Sequence, residues 1–197
     1  MKNETKWLID LVHSSISFKL RHLMIAHIKC AFKNFDASIY TSNINFNSAE
    51  IDLWIDTSSI NTGDAGRDKH LKSSDFLDVQ NHKQITFTSS TIGKSDVNGL
   101  HELWGELSIK GISKKIKLMV EFKRIYNDSF GNEKAGFTVT GLINRKDWGI
   151  TWNTTMKNGG LMVSDEVIIS FEIELAKAGK RYLTMEFECE DKIMSLI

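Results

Sequence analysis

His13 and Ser14 are neighbours in the sequence, and this pair suggests a nucleophile because serine activated by histidine is a common catalytic arrangement. A serine hydrolase also needs an orienting acid and an oxyanion hole, and the chain has no Gly-x-Ser-x-Gly turn to present them. The favoured interpretation is a turn that leads into the first long strand, with both side chains bonded to backbone groups.

Three histidines near the N-terminus, His13, His22 and His27, offer imidazole ligands of the kind that bind zinc, copper or iron. Their spacing matches no compact metal motif, so hydrogen-bonding or surface roles are favoured and no metal is expected. Three aspartates between positions 64 and 75 stand among lysines and a histidine. This mixture predicts a solvated charged face rather than a catalytic centre.

Nucleotides and nucleic acids are not expected partners. The chain has neither a Walker-type loop nor a Gly-x-Gly-x-x-Gly motif after a strand, so no nucleotide cofactor is predicted. Its 25 basic and 25 acidic side chains give no net charge, whereas a phosphate-binding surface needs a positive field. Trp104, Trp148 and Trp152 have no basic groove beside them and are predicted to be barrel and rim residues rather than base-stacking platforms.

Length and composition favour one compact unit of 197 residues without proline-containing linkers. The opening MKNETKWLID has no apolar run of the secretory type, and nothing later approaches the ~18 apolar residues of a membrane helix. We therefore expect a cytoplasmic protein without a membrane span. Cys30 and Cys189 match no metal spacing, and in a reducing compartment both are expected to be free thiols.

Apolar and polar residues alternate with period two through most of the chain, and this alternation predicts strands with one wet face. The clearest case runs from Val167 to Leu175, where Ser170, Glu172 and Glu174 all point away from the apolar side. The predicted strands cover residues 15–20, 28–40, 51–55, 84–92, 100–109, 116–122, 135–144 and 167–175. Turn signals between them favour antiparallel neighbours.

One helix is predicted over Asp64 to Leu71, capped by Asn61 or Thr62 and followed by a turn near residues 74–77. A single helix cannot cover so many strands, so we expect the sheet to bury one face and protect its edges by closing into a barrel. A two-sheet sandwich satisfies the same alternation. The interior of such a barrel can be filled by side chains or can hold one small ligand, and periodicity does not choose between them.

A series of short blocks extends over roughly residues 7 to 176. The blocks are Trp7 to Asp10, His13 to Phe18, Arg21 to Met24, Ser59 to Thr62, Asp68 to Phe76, Ile85 to Ser89, Gly105 to Ile112, Ile143 to Ile150 and Asp165 to Val167. In content and order they resemble the YceI-like family. Ala31 stands where that family usually has glycine, and Asn81-His82-Lys83 lacks its usual proline; both departures concern local backbone shape.

The resemblance implies an all-β protein, an extended eight-stranded antiparallel lipocalin-like barrel with one short helical connection. It also implies a binding or carrier role for a polyisoprenoid or quinone-like lipid, held in the barrel interior, rather than catalysis. An enzyme or a stress-response interaction module on the same barrel is the alternative. An apolar pore with bound lipid would support the first, and convergent polar groups in a small pocket would support the second.

The side chains expected to form the binding site fall into two groups. The predicted apolar lining consists of Phe18, Met24, Phe32, Leu53, Phe87, Leu118, Val120, Ile143, Trp152 and Phe171. A lipid headgroup would lie at a polar mouth formed by Arg21, His22 and Arg145. Each apolar candidate also suits an ordinary core position.

The C-terminal segment, residues 177–197, lies outside the resemblance, which assigns residues 1–176 to the barrel domain. Leu183, Met185, Phe187 and Cys189 alternate with polar residues, a pattern that favours an added strand. Such a strand would pair with the barrel itself or with the sheet edge of a second subunit, so a homodimer is one expectation.

Overall fold

The computed structural model describes residues 4–23, 25–42, 46–155 and 160–179. Within these ranges the chain forms eleven strands, all in one sheet, and one α-helix. The strands are β1 (Thr5–Ile9), β2 (Ser15–His22), β3 (Ala26–Phe32), β4 (Phe35–Thr41), β5 (Glu50–Asp56), β6 (Ile60–Asn61), β7 (Gln84–Ser95), β8 (Leu100–Ile109), β9 (Ile112–Asn127), β10 (Glu133–Asn144) and β11 (Val163–Lys177). The helix is α1 (Ala65–Leu71).

Strand β1 pairs with both β4 and β11, and this double pairing closes the sheet into a barrel. Around the ring the order is β1-β4-β5-β7-β8-β9-β10-β11, and every pairing is antiparallel. Strands β2, β3 and β6 extend the sheet beyond β11. They continue β1, β4 and β5, respectively, after a short stretch in which the regular strand is interrupted. The predicted eight-stranded closed barrel is confirmed, and the sandwich alternative is wrong.

The barrel has two distinct ends. The upper end carries the hairpin turns Asp96–Gly99 and Asp128–Gly131, with residues 46–49 between β4 and β5. The lower end carries the Lys110-Gly111 turn and the helical connection, which we define as residues 62–83. Lys110 and Gly111 have φ angles of 50° and 72°, the left-handed pair that a two-residue hairpin turn between twisted strands requires.

Residues 28–40, predicted as a single strand, form two strands in the structure. Phe32 ends β3, Phe35 begins β4, and both side chains are buried although they stand three positions apart. A continuous strand would point them to opposite faces, so the backbone must break between them. A hydrogen bond to the end of β5 stabilises this break, since the carbonyl of Asn34 accepts a 2.9 Å hydrogen bond from the N–H of Asp56.

The helix begins one residue later than predicted, and its cap is different. Asp64 caps α1 by accepting a 2.7 Å hydrogen bond from the N–H of Arg67, so the prediction of Asn61 or Thr62 as cap is wrong. Thr62 instead donates from its N–H and its hydroxyl to Asp68, over 2.8 Å and 2.6 Å. The segment that follows β6 is therefore linked to the helix by Asp68, a residue of α1 itself.

Cys30 lies on β3 as a buried free thiol. Burial raises its pKa to about 11, so the thiol is protonated and a poor nucleophile at neutral pH. Cys189 lies outside the described residues. None of the helices formed by the described residues has the length and apolar character needed to cross a bilayer.

Candidate functional site

The barrel interior contains two chambers with almost wholly apolar walls. The upper chamber has a volume of about 110 Å³ and lies between β4, β5 and the upper halves of β7 to β11. The lower chamber has a volume of about 120 Å³ and is enclosed by β2, β3, the lower halves of the long strands and the helical connection. The interior therefore keeps two apolar spaces that the protein's own side chains do not fill.

Alternation along the strands brings most of the predicted lining residues to these walls. The upper chamber is lined in part by Leu53, Phe87, Leu118 and Val120. The lower chamber is lined in part by Phe18, Phe32 and Ile143. Phe171 lines both. Whether these side chains bind a ligand stays a prediction, but their positions are those that a lining requires.

Two inward-facing glycines keep the upper chamber open. A Cβ atom on Gly105 would overlap the ring of Phe87 and approach the carbonyl oxygen of Thr88 to 2.6 Å. A Cβ atom on Gly141 would overlap a terminal methyl of Leu118. Because neither glycine has a side chain, Phe87 and Leu118 lie back against the wall instead of projecting into the hollow.

An aromatic cluster closes the upper end. The ring of Phe46 packs 5.1 Å from Trp7, 4.9 Å from Phe137 and 6.1 Å from Phe122, measured between ring centroids. Phe46 has a φ of 57°, a left-handed conformation that is uncommon for a bulky residue and that turns its side chain down into the barrel. Phe46 therefore covers part of the upper chamber.

The helical connection closes the lower end. Leu71, Phe76 and Leu77 face the lower chamber from this segment. Trp152, a predicted lining residue, packs 5.2 Å from Phe76 and 4.7 Å from His70 between ring centroids. Trp152 is absent from both chamber walls and instead holds the helical connection against the barrel.

Arg145 lies in the wall of the lower chamber, with only 4% of its surface exposed, and not at an open mouth as predicted. Its Nη1 donates to the carbonyls of Ile150 and Trp152, both at 2.8 Å, and its Nε donates to the carbonyl of Ser164 at 3.0 Å. Its Nη2 donates to the carboxylate of Asp165 at 3.0 Å. Burial lowers the pKa of the guanidinium while Asp165 opposes the change, and the group stays charged at neutral pH.

The other predicted polar residues occupy the lower end of β2. Arg21 is exposed and His22 is partly buried, and neither lines a chamber. Met24 lies outside the described residues. A headgroup role for Arg21 and His22 stays a prediction, whereas Arg145 donates most of its N–H groups to protein oxygens.

The upper chamber has two polar wall residues that the sequence prediction missed, Asn47 and His101. The Nδ1 atom of His101 lies 3.0 Å from the carbonyl oxygen of Gly93, and a carbonyl only accepts, so Nδ1 carries the proton and Nε2 is an acceptor. The signal for His101 was its inward position in the β8 alternation with Leu103 and Leu107. Asn47 belongs to a loop that alternation does not describe.

A polar cluster outside the barrel fixes the turn between β1 and β2. Lys134 lies between the carboxylates of Asp10 and Glu174, and the Nδ1 of His13 lies 3.1 Å from Asp10. Ser14 donates its hydroxyl to the carbonyl of Glu174 and accepts from the N–H of the same residue, at 3.3 Å and 3.0 Å. Ser14 is thus engaged with backbone groups, as the turn interpretation predicted.

Within the described part of the chain, Asp10, His13 and Glu174 are also the one trio of ligand-type side chains close enough to share a metal ion. The ammonium group of Lys134 already stands between the two carboxylates and supplies the positive charge there. His13 precedes β2 and His22 is the last of its eight residues, which span ~26 Å, so the three histidines do not come together.

Acid should weaken this cluster. Burial alone would raise the pKa of Asp10, but hydrogen bonds from Lys134 and His13 outweigh it and hold the pKa well below its ordinary value. A carboxyl with a lowered pKa stabilises the fold above its unfolded pKa of about 3.9 and loses that contribution as the pH falls further. We expect Asp10→Asn to lower the free energy of unfolding by about 1–3 kcal/mol at pH 7, with a deficit that shrinks steadily below pH ~4.

Urea titrations of both proteins at a series of pH values measure this difference. Glu166→Gln, at an exposed carboxyl on β11, is the matched control and should show almost no deficit at any pH. A deficit for Asp10→Asn that is the same at pH 7 and at pH 2.5 would contradict the assignment.

The closed antiparallel ring and its apolar hollow define a lipocalin-like barrel. The model of the YceI-like domain matches residues 7–175. The chain therefore belongs to the YceI-like family.

Relatives and solved structures agree with this assignment. A UPF0312 protein of Staphylococcus aureus strain MSSA476 is 35% identical over 164 residues, which cover 83% of this chain and 92% of that protein. A YceI protein of Campylobacter jejuni is 29% identical with a TM-score of 0.67, covering 81% of this chain and 90% of that one. A polyisoprenoid-binding domain from Saccharophagus degradans has a TM-score of 0.64 over 87% of this chain and 98% of that domain, and at 16% identity it shows the shared fold alone.

Proposed function

We propose that this protein binds and carries a polyisoprenoid or a similar amphiphilic lipid, such as a quinone, with the apolar tail inside the barrel. The observation that carries the proposal is the pair of apolar chambers that lie one above the other along the barrel axis. A site for catalysis would instead gather convergent polar groups in the hollow. The strongest polar cluster lies outside the barrel, where it fixes a turn.

The energetics favour a hydrocarbon guest. Each methylene transferred from water into an apolar chamber contributes ~0.8 kcal/mol, so about ten of them supply the ~8 kcal/mol that a micromolar dissociation constant represents. Ordering the flexible tail offsets part of that gain, so a useful affinity needs a tail of several isoprene units. Apolar cavities of this kind stay dry when empty, so a guest does not have to displace tightly held water.

The headgroup would remain at one end of the barrel. At the lower end, Arg21 and His22 are the candidates for an anionic or oxygen-bearing headgroup because both have unburied surface. At the upper end, His101 and Asn47 offer an acceptor and an amide group. Arg145 is the weakest candidate, since its donors already bind protein oxygens.

Organic extraction of freshly purified protein, followed by mass spectrometry, tests the proposal. We expect a prenyl-chain lipid in near-stoichiometric amount and its replacement when a prenyl alcohol such as geranylgeraniol is added. A protein that yields no lipid and does not bind added prenyl alcohols would overturn the proposed function.

Filling one glycine position should shrink the upper chamber. In Gly141→Ala, the new Cβ forces the end of Leu118 off the wall and into the hollow, so we expect a several-fold loss of affinity for geranylgeraniol. The overpacking should also cost about 1–3 kcal/mol of stability. Gly136→Ala on the same strand is the control, because its Cβ meets nothing nearer than the Cβ of Lys123 at 3.7 Å. Equal affinities of the two variants would show that the tail avoids this part of the chamber.

We propose further that the carrier works in the cytoplasm, which the free thiol of Cys30 supports. The predicted strand at residues 182–190 lies outside the described residues, and its pairing with a second subunit stays a prediction. If it pairs in that way, deleting the chain after Gly179 should change the mass in solution from dimer to monomer, as measured by light scattering. An unchanged mass would contradict pairing between subunits.

A further inference from the structure

Phe171 stands between the two chambers. Among the described residues it is the only one whose side chain lines both of them. Its inward-facing neighbours on β11 each line one chamber, Ile169 the lower and Ile173 the upper. Phe171 pairs with Val139 of β10 on one side and with Ile16 of β2 on the other, so its ring projects from the middle of the wall.

The volumes of the two chambers show why the position of Phe171 matters for the length of tail that can bind. An apolar cavity of about 150 Å³ in another protein holds one benzene molecule, and each chamber here, at about 110 and 120 Å³, is smaller. One chamber therefore has room for little more than a single isoprene unit. A tail of several units must occupy both chambers and pass the side chain that separates them.

The geometry of β11 gives the length of that passage. Ile169 and Ile173 are four residues apart, which corresponds to ~13 Å along a strand, and Phe171 stands at the midpoint. Its side chain is only partly buried, and it borders the open space of both chambers. A ring with space on both sides can rotate, whereas a ring packed on every side cannot.

We propose that Phe171 is the internal partition of the carrier and determines which tail lengths it accepts. This inference rests on the proposed function. A short tail fills one chamber and leaves the ring in place, whereas a long tail binds only after the ring has rotated against the wall. The free energy of that rotation reduces the affinity for long tails and does not affect short ones.

Phe87 and Leu118 do not have this role. Both line the upper chamber alone and lie against the wall over Gly105 and Gly141. They set the width of one chamber, whereas Phe171 sets the connection between two. Substitutions at Phe171 should therefore have the largest effect on the ratio of long-tail to short-tail affinity, and substitutions elsewhere on the wall should have a smaller effect on that ratio.

The test compares the affinities of wild type, Phe171→Ala and Phe171→Trp for prenol, an alcohol with a single isoprene unit, and geranylgeraniol, which has four. We expect Phe171→Ala to raise the ratio of long-tail to short-tail affinity by about tenfold, since the tail no longer has to displace a ring. Phe171→Trp should lower the ratio. Ile173→Ala, on the same strand and in one chamber only, is the matched control and should change the ratio much less than Phe171→Ala does.

The possible outcomes distinguish a failure of the proposed role of Phe171 from a failure of the proposed lipid-carrier function. If both alcohols bind but the ratio is the same in wild type and Phe171→Ala, the partition is wrong and the carrier role stands. If the wild type binds neither alcohol, the carrier role fails and the partition fails with it. Circular dichroism and a cooperative urea transition check the folding of each variant, and Phe171→Leu replaces the alanine variant where that variant does not fold.

Discussion

Replacing Arg145 with methionine is expected to lower the free energy of unfolding by about 3–5 kcal/mol, because a buried guanidinium and its hydrogen bonds to four protein oxygens are lost together. Arg145 satisfies the carbonyls of Ile150, Trp152 and Ser164 and also binds Asp165. Methionine fills a similar volume but donates no hydrogen bond, so these buried and partly buried oxygens lose their donor. Urea denaturation followed by tryptophan fluorescence measures the loss.

Lys146→Met provides the control for Arg145→Met. Lys146 binds the second oxygen of the same carboxylate, with 2.7 Å between Nζ and Asp165, but its side chain is 47% exposed. A pair of that kind contributes about 0–1 kcal/mol, so the control should stay close to wild type. If Arg145→Met were as stable as Lys146→Met, the buried arginine would not be what holds residues 150–152 across the lower end.

Placing a carboxyl group in the upper chamber is expected to remove lipid binding. Val120 lines this chamber, and Val120→Asp puts a polar group where the tail would lie, at a cost to binding of about 3 kcal/mol or roughly a hundredfold in affinity. The aspartate resists burial whether it is charged or protonated, because either form needs hydrogen-bond partners that the wall does not offer. Titration with geranylgeraniol measures the effect.

Met119→Asp is the matched control for Val120→Asp. Met119 is the residue before Val120 on β9, and its side chain points to the outside of the barrel. It should fold and bind like the wild type. A folded Val120→Asp protein with unchanged affinity would remove Val120 from the lining and would place the tail elsewhere in the interior.

The alternation of apolar and polar residues was sufficient to predict which side chains face inward. On β9 it placed Leu118 and Val120 on the inner face, and on β11 it placed Phe171 there, and all three lie on chamber walls. Such predictions succeed because a strand has a fixed period of two and a barrel buries one face only. Alternation alone did not decide between a closed barrel and a two-sheet sandwich, and the family resemblance predicted the barrel.

Features that depend on how distant strands pack against one another could not be predicted from the sequence. The proposed partition at Phe171 and the aromatic cluster around Phe46 arise because side chains from remote parts of the chain meet in the interior. The burial of Arg145 depends in the same way on the path of residues 150–152. No local pattern records such meetings, and a charged residue next to a strand is ordinarily expected at the surface.

Some signals were present in the sequence and were not used. Phe32 and Phe35 stand three positions apart, a spacing that a continuous strand cannot bury on one face, and it marks the break between β3 and β4. Gly105 and Gly141 occupy inward positions in otherwise regular alternations, which indicates that a neighbouring side chain needs the space.

Closure of the barrel joins β1 to β11, the last described strand, through pairs such as Trp7 with Lys177. Contacts between residues so distant in sequence have a large entropic cost of loop closure and slow the folding of a chain. During synthesis the ribosome delivers β11 long after β1, and until then the sheet has two unpaired edges that are able to aggregate. The proposed lipid can therefore load only after β11 has been synthesised, because a nascent chain without β11 lacks one wall of both chambers.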